Sequence, residues 1–80
     1  MAKADMKELI RYLAESLVSE PESVNVEETR GPDATIIELN VAPQDMGKVI
    51  GKRGRIAKAM RTVVKAATPR GNNPVFVEIQ

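Results

Sequence analysis

The segment from residue 47 to residue 56 reads GKVIGKRGRI and constrains the fold more than any other part of the chain. It places three glycines within eight residues, and each glycine weakens a helix by about 1 kcal/mol relative to alanine. The residues on both sides nevertheless have the spacing of amphipathic helices. We therefore predict a helix that runs into Gly51, a four-residue turn from Gly51 to Gly54, and a second helix that starts at once.

The two helices around this turn have different predicted faces. Asp45 is expected to cap the first one, which covers residues 45–50. The second helix is expected to be apolar on the inside and cationic on the outside, with an apolar stripe formed by Ile56, Ala59, Met60, Val63, Val64 and Ala67.

Apolar spacing predicts the other elements. Steps of three and four residues predict an amphipathic helix over residues 4–18, which Pro21 stops. Alternating residues predict a strand that ends at Arg30, a turn at 31–33, and two further strands, which carry Ile37, Leu39 and Val41 in one case and Val75, Val77 and Ile79 in the other. Residues 68–74 have the composition of a loop.

The predicted order is helix, strand, strand, helix, helix, strand. The short turn at 31–33 makes the first two strands an antiparallel hairpin, whereas about thirty residues and two helices allow the third strand to lie parallel to the second. We expect one α+β domain over residues 1–80, with helices on one face of a three-stranded mixed sheet. Phe76 is expected beside Ile36 on the uncovered face, as ordinary surface or as part of a self-association surface.

Charge is unevenly distributed along the chain. Residues 46–70 contain eight lysines and arginines and no acid, while residues 1–45 contain four bases and ten acids. A positive block of this kind is typical of a surface that faces an anion such as nucleic acid or a membrane surface. A solvated helix face is the alternative.

The residue types exclude several classes of function. The chain has no cysteine and no histidine, which removes disulfides, the usual zinc ligands and the commonest general base. We expect no enzyme activity, no metal and no cofactor. Ordinary surface charge is the expected role of the adjacent carboxylates Glu27 and Glu28. Charged residues throughout the first twenty positions break any signal-peptide core, and the cytoplasm is the expected compartment.

Two phosphate-binding motifs do not fit the glycine segment. A P-loop needs one more residue between Gly47 and Gly51, and a Ser or Thr where Arg53 stands. The dinucleotide fingerprint needs a different glycine spacing and a strand that leads into it. A bend between two helices remains, in which bare glycine backbone and the free N–H groups of the second helix can approach a polyanion. A plain interhelical turn with solvated cations stays open as the alternative.

The stretch from Val49 to Ile56 resembles the VIGxxG core of the KH-domain signature; the KH domain is a module that binds single-stranded nucleic acid. The predicted element order matches the type II version of that fold. The resemblance extends from Met6 to Ile79 and is closest to the KhpA family of short bacterial KH proteins. It implies a single KH domain over residues 1–80, with the N-terminal helix and first strand in 1–28 and the KH core, including the loop 51–54, in 29–80.

The resemblance also implies a binding site for about four nucleotides of single-stranded RNA. The residues it assigns to RNA binding are Lys48, Val49, Ile50, Gly51, Lys52, Arg53, Gly54, Arg55, Ile56, Lys58 and Arg61. Val49, Ile50 and Ile56 would form part of the groove floor, or else plain core, and the strand with Leu39 and Val41 would bound the groove. Lys65 and Arg70 would widen the positive surface.

Aromatic stacking is not expected to contribute, because neither Tyr12 nor Phe76 falls in this groove. We therefore expect weak binding with little sequence preference and a marked salt dependence. The family resemblance further implies a KhpB-like partner or a homodimer, a role as an RNA chaperone or post-transcriptional regulator, and links to cell elongation and peptidoglycan homeostasis. The alternative function is a protein-interaction or ribosome-associated adaptor in which RNA contact is secondary.

Overall fold

A computed structural model describes residues 6–68 and 71–80 of the chain. The helices and strands are α1 (Met6–Leu17), β1 (Asn25–Arg30), β2 (Thr35–Asn40), α2 (Met46–Ile50), α3 (Arg55–Ala67) and β3 (Val75–Ile79). Single 3-10 turns precede β1, α2 and α3. This order confirms the predicted α-β-β-α-α-β arrangement. The predicted start of the first helix at residue 4 and the cation Arg70 lie outside the described residues.

The three strands form one mixed sheet in the order β1-β2-β3. β1 and β2 pair antiparallel, with Val26 opposite Leu39, and β2 and β3 pair parallel, with Ile37 opposite Val77. Both pairings are as predicted. β2 is therefore the central strand, and β3 is an edge strand whose outer side faces away from β2.

The core lies between one face of the sheet and the three helices. Alternate strand residues point into it, as the period of a strand requires, and α1 and α3 each contribute one buried side. The core cluster consists of Ile10, Ala14, Val26, Ile37, Leu39, Val49, Met60, Val64 and Val77. Each of these residues is at most 5% exposed.

The predicted apolar stripe of α3 was too wide. Ala57, Met60 and Val64 are buried, whereas Ala59 is exposed and Val63 is 43% exposed. The predicted residues spanned both the side of α3 that packs on the core and a neighbouring side that no described residue covers. Helical spacing alone does not reveal which part of so broad an apolar arc meets a sheet.

The other face of the sheet carries no helix among the described residues. Phe76 lies opposite Ile36 in the register of β2 and β3, as predicted, and Phe76 is 54% exposed. A neighbouring row on this face places Glu38 between Glu27 and Glu78. The uncovered face therefore combines a small apolar patch with negative charge.

Candidate functional site

The backbone between α2 and α3 adopts conformations that favour glycine. Gly51 has φ 78° and ψ 169°, a region that is almost closed to other residues. Gly54 has φ 72° and ψ 15°, in the left-handed region. Arg53, between them, has φ 58° and ψ 26°, the one positive φ of a non-glycine residue among the described residues. The bend is thus a strained segment, and backbone strain of this kind often accompanies a binding site.

Gly51 is also required by packing. A Cβ atom built at this position would lie 2.6 Å from Cγ1 and 2.9 Å from the backbone nitrogen of Ile56. Gly54 differs, because a Cβ atom there would meet nothing within 4 Å. One glycine therefore lets the second helix approach the first, and the other opens onto free space.

The tip of the bend is accessible. Lys52 and Arg53 are exposed, and Gly51 and Gly54 are partly exposed. Hydrogen bonds from the N–H of Gly51 to the Gly47 carbonyl (2.9 Å) and from the N–H of Gly54 to the Gly51 carbonyl (3.0 Å) hold its shape. No side chain of residues 6–68 or 71–80 caps the N-terminus of α3. The bend therefore presents bare peptide and the positive end of a helix dipole to the outside.

Four cations continue this positive surface along α3. Arg55, Lys58, Arg61 and Lys65 follow at steps of three, three and four residues, which places them on one side of the helix, and all four are exposed. The Arg61 Nε–H donates a hydrogen bond to the carbonyl of Val77 in β3 (3.3 Å). Within residues 6–68 and 71–80, neither these four cations nor Lys52 and Arg53 pair with a carboxylate. Their charge is therefore available to an external anion.

Lys48 differs from the other predicted cations. Its Nζ lies 3.2 Å from Oδ1 of Asp45, and half of its side chain is exposed. Its charge is therefore largely balanced inside the protein.

Asp45 has a different role from the predicted one. Its side chain makes no capping hydrogen bond to α2, so the prediction of a cap was wrong. The side chain is fully buried instead and accepts hydrogen bonds from the Ser19 N–H (3.1 Å), the Ser19 hydroxyl (2.8 Å) and the Glu20 N–H (3.2 Å). Burial raises the pKa of this carboxyl, but the bonds from Ser19, Lys48 and Glu20 outweigh burial and lower the pKa from 3.8 to about 2.

The predicted apolar site residues divide into three environments. Val49 has no exposed surface and belongs to the core, Ile56 is half-buried against Gly51, and Ile50 is 36% exposed. Ile50 and Ile56 are therefore the two that an external molecule can reach. Val49 anchors α2, which leads into the bend, in the core.

Both neighbouring strands bear on where the site ends. β2, with Leu39 and Val41, stays the predicted boundary of the groove, although it is the central strand and Leu39 is fully buried. A cleft of about 560 Å³ separates the cationic side of α3 from β3, and its lining includes Arg61, Lys65, Val75, Phe76 and Val77. Phe76 therefore borders the cationic surface, while Tyr12 lies on α1.

The described residues offer little for other kinds of site. No group of three or more acidic residues among them has a geometry that could hold a metal ion. No helix in the same part of the chain is long and apolar enough to cross a membrane.

Comparisons with known proteins agree with the fold. The family model of the KhpA/KhpB KH domain matches residues 7–79. The chain is 61% identical to the RNA-binding protein KhpA of Clostridium perfringens over 74 residues, which are 92% of this chain and 99% of that protein. It is 45% identical to the RNA-binding protein KhpA of Chlamydia trachomatis over 74 residues, 92% of this chain and 95% of that protein.

A solved structure shares the fold. The chain superposes with a TM-score of 0.56 on a variant of Era from Aquifex aeolicus bound to GDP and AlF4−, at 22% identity. The match covers 94% of this chain and 30% of that protein. The match to the family model over nearly the whole chain, together with these identities, shows that the chain belongs to the KhpA/KhpB KH-domain family.

Proposed function

We propose that this protein binds single-stranded RNA, with the sugar-phosphate backbone lying against the bend from Gly51 to Gly54. The observation that carries the proposal is an exposed, strained glycine bend that has two unpaired cations at its tip. A polyanion can approach bare peptide more closely than it can approach a surface covered by side chains. The cations Lys52 and Arg53 then lie beside the phosphates and supply charge-assisted contacts.

The positive side of α3 extends the proposed path of the RNA. With a rise of about 1.5 Å per residue, Arg61 lies about 9 Å beyond Arg55 along the helix axis, and Lys65 about 15 Å beyond it. A KH module holds about four nucleotides, and this row of cations can follow a strand of that length. We assign direct contacts to Gly51, Lys52, Arg53, Gly54, Arg55, Lys58 and Arg61, with Ile50 and Ile56 as apolar contacts for bases.

The relatives favour this function over catalysis. The curated relatives at 61% and 45% identity are both named RNA-binding proteins. The KhpA/KhpB KH-domain family is not an enzyme family. The proposal that RNA rather than single-stranded DNA is the ligand rests on these names, because a clamp on phosphates has limited means of sensing a 2′-hydroxyl.

We propose that one copy binds weakly and acts together with a second RNA-binding module. A site for four nucleotides has few contacts, and linking two such sites raises the effective concentration of the second one. A KhpB-like protein or a second copy of this chain would supply that module. Action as an RNA chaperone or post-transcriptional regulator in the cytoplasm, with effects on cell elongation and peptidoglycan homeostasis, rests on family resemblance alone.

A role as a protein-interaction adaptor is the second candidate function. The uncovered face of the sheet favours it, because Phe76 is 54% exposed there beside a row of glutamates that repels RNA. Phe76 also lines the cleft that contains Arg61, so protein contact at this face would adjoin the proposed path of the RNA along α3.

Crosslinking in cells, followed by mapping of the crosslinked peptides, tests the proposal and separates it from the adaptor role. We expect RNA attached within residues 48–61, mainly within 48–58. RNA recovered only elsewhere, or no RNA at all from well-expressed protein, would favour the adaptor role and contradict the proposed site.

A further inference from the structure

We propose that Asp45 is a positioning residue for RNA binding, which holds α2 in the orientation that presents the bend. This inference rests on the proposed function. Among the described residues, Asp45 is the one charged side chain that is buried. It lies outside the bend, and its partners Ser19, Glu20 and Lys48 are not among the direct RNA contacts assigned above.

The hydrogen bonds of Asp45 join two distant parts of the chain. The donors Ser19 and Glu20 lie in the segment between α1 and β1, about 25 residues before the acceptor. Asp45 itself directly precedes α2. A buried carboxylate that accepts two backbone N–H groups and a hydroxyl fixes the relative position of these two segments, because each bond that is lost removes a donor from a charge shielded from water.

The helix α2 depends on such outside support. It has only five residues, too few to be stable by itself, and Val49 is its one buried side chain. The bend begins directly after its last residue. Two anchors therefore set the orientation of α2, with Val49 in the core on one side and Asp45 at its start.

The ion pair with Lys48 belongs to the same arrangement. The Lys48 Nζ and the Ser19 hydroxyl both contact Oδ1 of Asp45, at 3.2 Å and 2.8 Å. The half-exposed Lys48 side chain lies between the carboxylate and solvent. Because Lys48 belongs to α2, the ion pair also ties this helix to Asp45. If RNA binding relies on a preorganised bend, the affinity falls when these contacts of Asp45 are lost, even though every residue that touches the RNA is unchanged.

The test replaces Ser19 rather than Asp45, because Asp45→Ala risks unfolding the protein. Ser19→Ala removes one of the donors and leaves the charge of the protein unchanged. Ser19→Thr keeps the hydroxyl and should therefore keep its hydrogen bond to Asp45. Ser16→Ala is the matched control, because among the described residues the Ser16 hydroxyl is bonded only to the carbonyl of Tyr12 within α1.

Two measurements are made on the folded variants, namely affinity for a single-stranded RNA octamer of mixed sequence and the amide NMR signals of Gly51 and Gly54. We expect Ser19→Ala to weaken RNA binding about threefold to tenfold, with an unchanged salt dependence and shifted signals at both glycines. Ser19→Thr and Ser16→Ala should bind the RNA with wild-type affinity. Their amide signals at Gly51 and Gly54 should also match those of the wild type.

A folded Ser19→Ala protein with wild-type affinity and unshifted glycine signals would overturn the inference and leave Asp45 a merely structural residue. Absence of RNA binding by the wild type would instead contradict the proposed function. The glycine signals would still decide whether Asp45 positions the bend, since that measurement needs no RNA.

Discussion

Gly51 packs directly against Ile56, and α3 can start at Arg55 only because residue 51 has no side chain. A Cβ atom at residue 51 would lie within 2.9 Å of both the side chain and the backbone nitrogen of Ile56. Gly54 meets no atom on its open side. The two glycines of the bend therefore have separable roles, one in folding and one in leaving room for a ligand.

Gly51→Ala should destabilise the protein strongly. The alanine would adopt an unfavourable φ of 78° and collide with Ile56, so we expect a loss of about 2–4 kcal/mol in the free energy of unfolding. Urea denaturation measures this free energy. Gly47→Ala is the control, because Gly47 lies in α2 with open space around it, and we expect no loss or a gain of about 0.5–1 kcal/mol there. Equal stabilities for the two variants would contradict the packing role of Gly51.

Gly54→Asn should separate binding from folding. Asparagine tolerates the left-handed conformation better than most residues, and its side chain would project into open space, so we expect a stability loss of about 1 kcal/mol or less. The same side chain would stand between the bend and a phosphate, and RNA binding should weaken about tenfold or more. Fluorescence anisotropy with a labelled RNA octamer measures the affinity. Unchanged affinity in the folded variant would exclude close approach of the RNA backbone at Gly54.

Acid should remove the stabilisation that Asp45 provides. The pKa of this carboxyl falls from 3.8 in the unfolded chain to about 2 in the folded protein, so its ionisation stabilises the fold fully above about pH 4. That contribution is lost as the pH falls from 3.8 towards 2, where the folded state also takes up the proton. Asp45→Asn should be less stable than the wild type at neutral pH, and the difference should shrink over this interval. Urea denaturation at several pH values checks it, and a difference that stays constant down to pH 2 would contradict the assigned pKa.

Lys48 and Lys58 should differ in their effect on RNA binding. Each phosphate contact on a single strand contributes about 0.7 to the slope of log affinity against log salt concentration. Lys58→Gln should reduce the slope by about that amount, because Lys58 is exposed and pairs with no carboxylate within the described chain. Lys48→Gln should leave the slope almost unchanged, since Asp45 already balances that charge. A salt titration of RNA binding compares the two, and equal reductions would mean that Lys48 leaves Asp45 to contact phosphate.

The features that local sequence determines were predictable. Two glycines three residues apart, with cations between them and helical spacing on either side, indicated the bend, because each of these signals lies within ten residues. The parallel pairing of β2 and β3 was also predicted, since the intervening residues and two helices are long enough for a crossover connection. These two predictions place the cationic helix and the bend on the same side of one small domain.

The features that depend on distant residues were not predictable in the same way. Asp45 read as a helix cap because its true donors, Ser19 and Glu20, lie about 25 residues upstream. The strand order β1-β2-β3 followed from the predicted pairings, but the cleft between α3 and β3 did not, because it depends on how the helix packs against the sheet.

The most direct test of the account removes the two cations at the tip of the bend while keeping its backbone. Lys52→Gln combined with Arg53→Asn does so, because asparagine accepts the positive φ of residue 53. The charge-matched control is Ser23→Glu combined with Thr29→Glu, since both positions are exposed and lie outside the proposed site. Affinity for a single-stranded RNA octamer and the melting temperature are measured for both proteins.

We expect the bend variant to lose about twentyfold in affinity at 0.1 M salt and about 1.4 in salt slope, as for two lost phosphate contacts, with a melting temperature close to that of the wild type. The control should bind RNA with nearly wild-type affinity. A folded bend variant that binds RNA as tightly as the control would contradict the claim that this bend holds the RNA backbone.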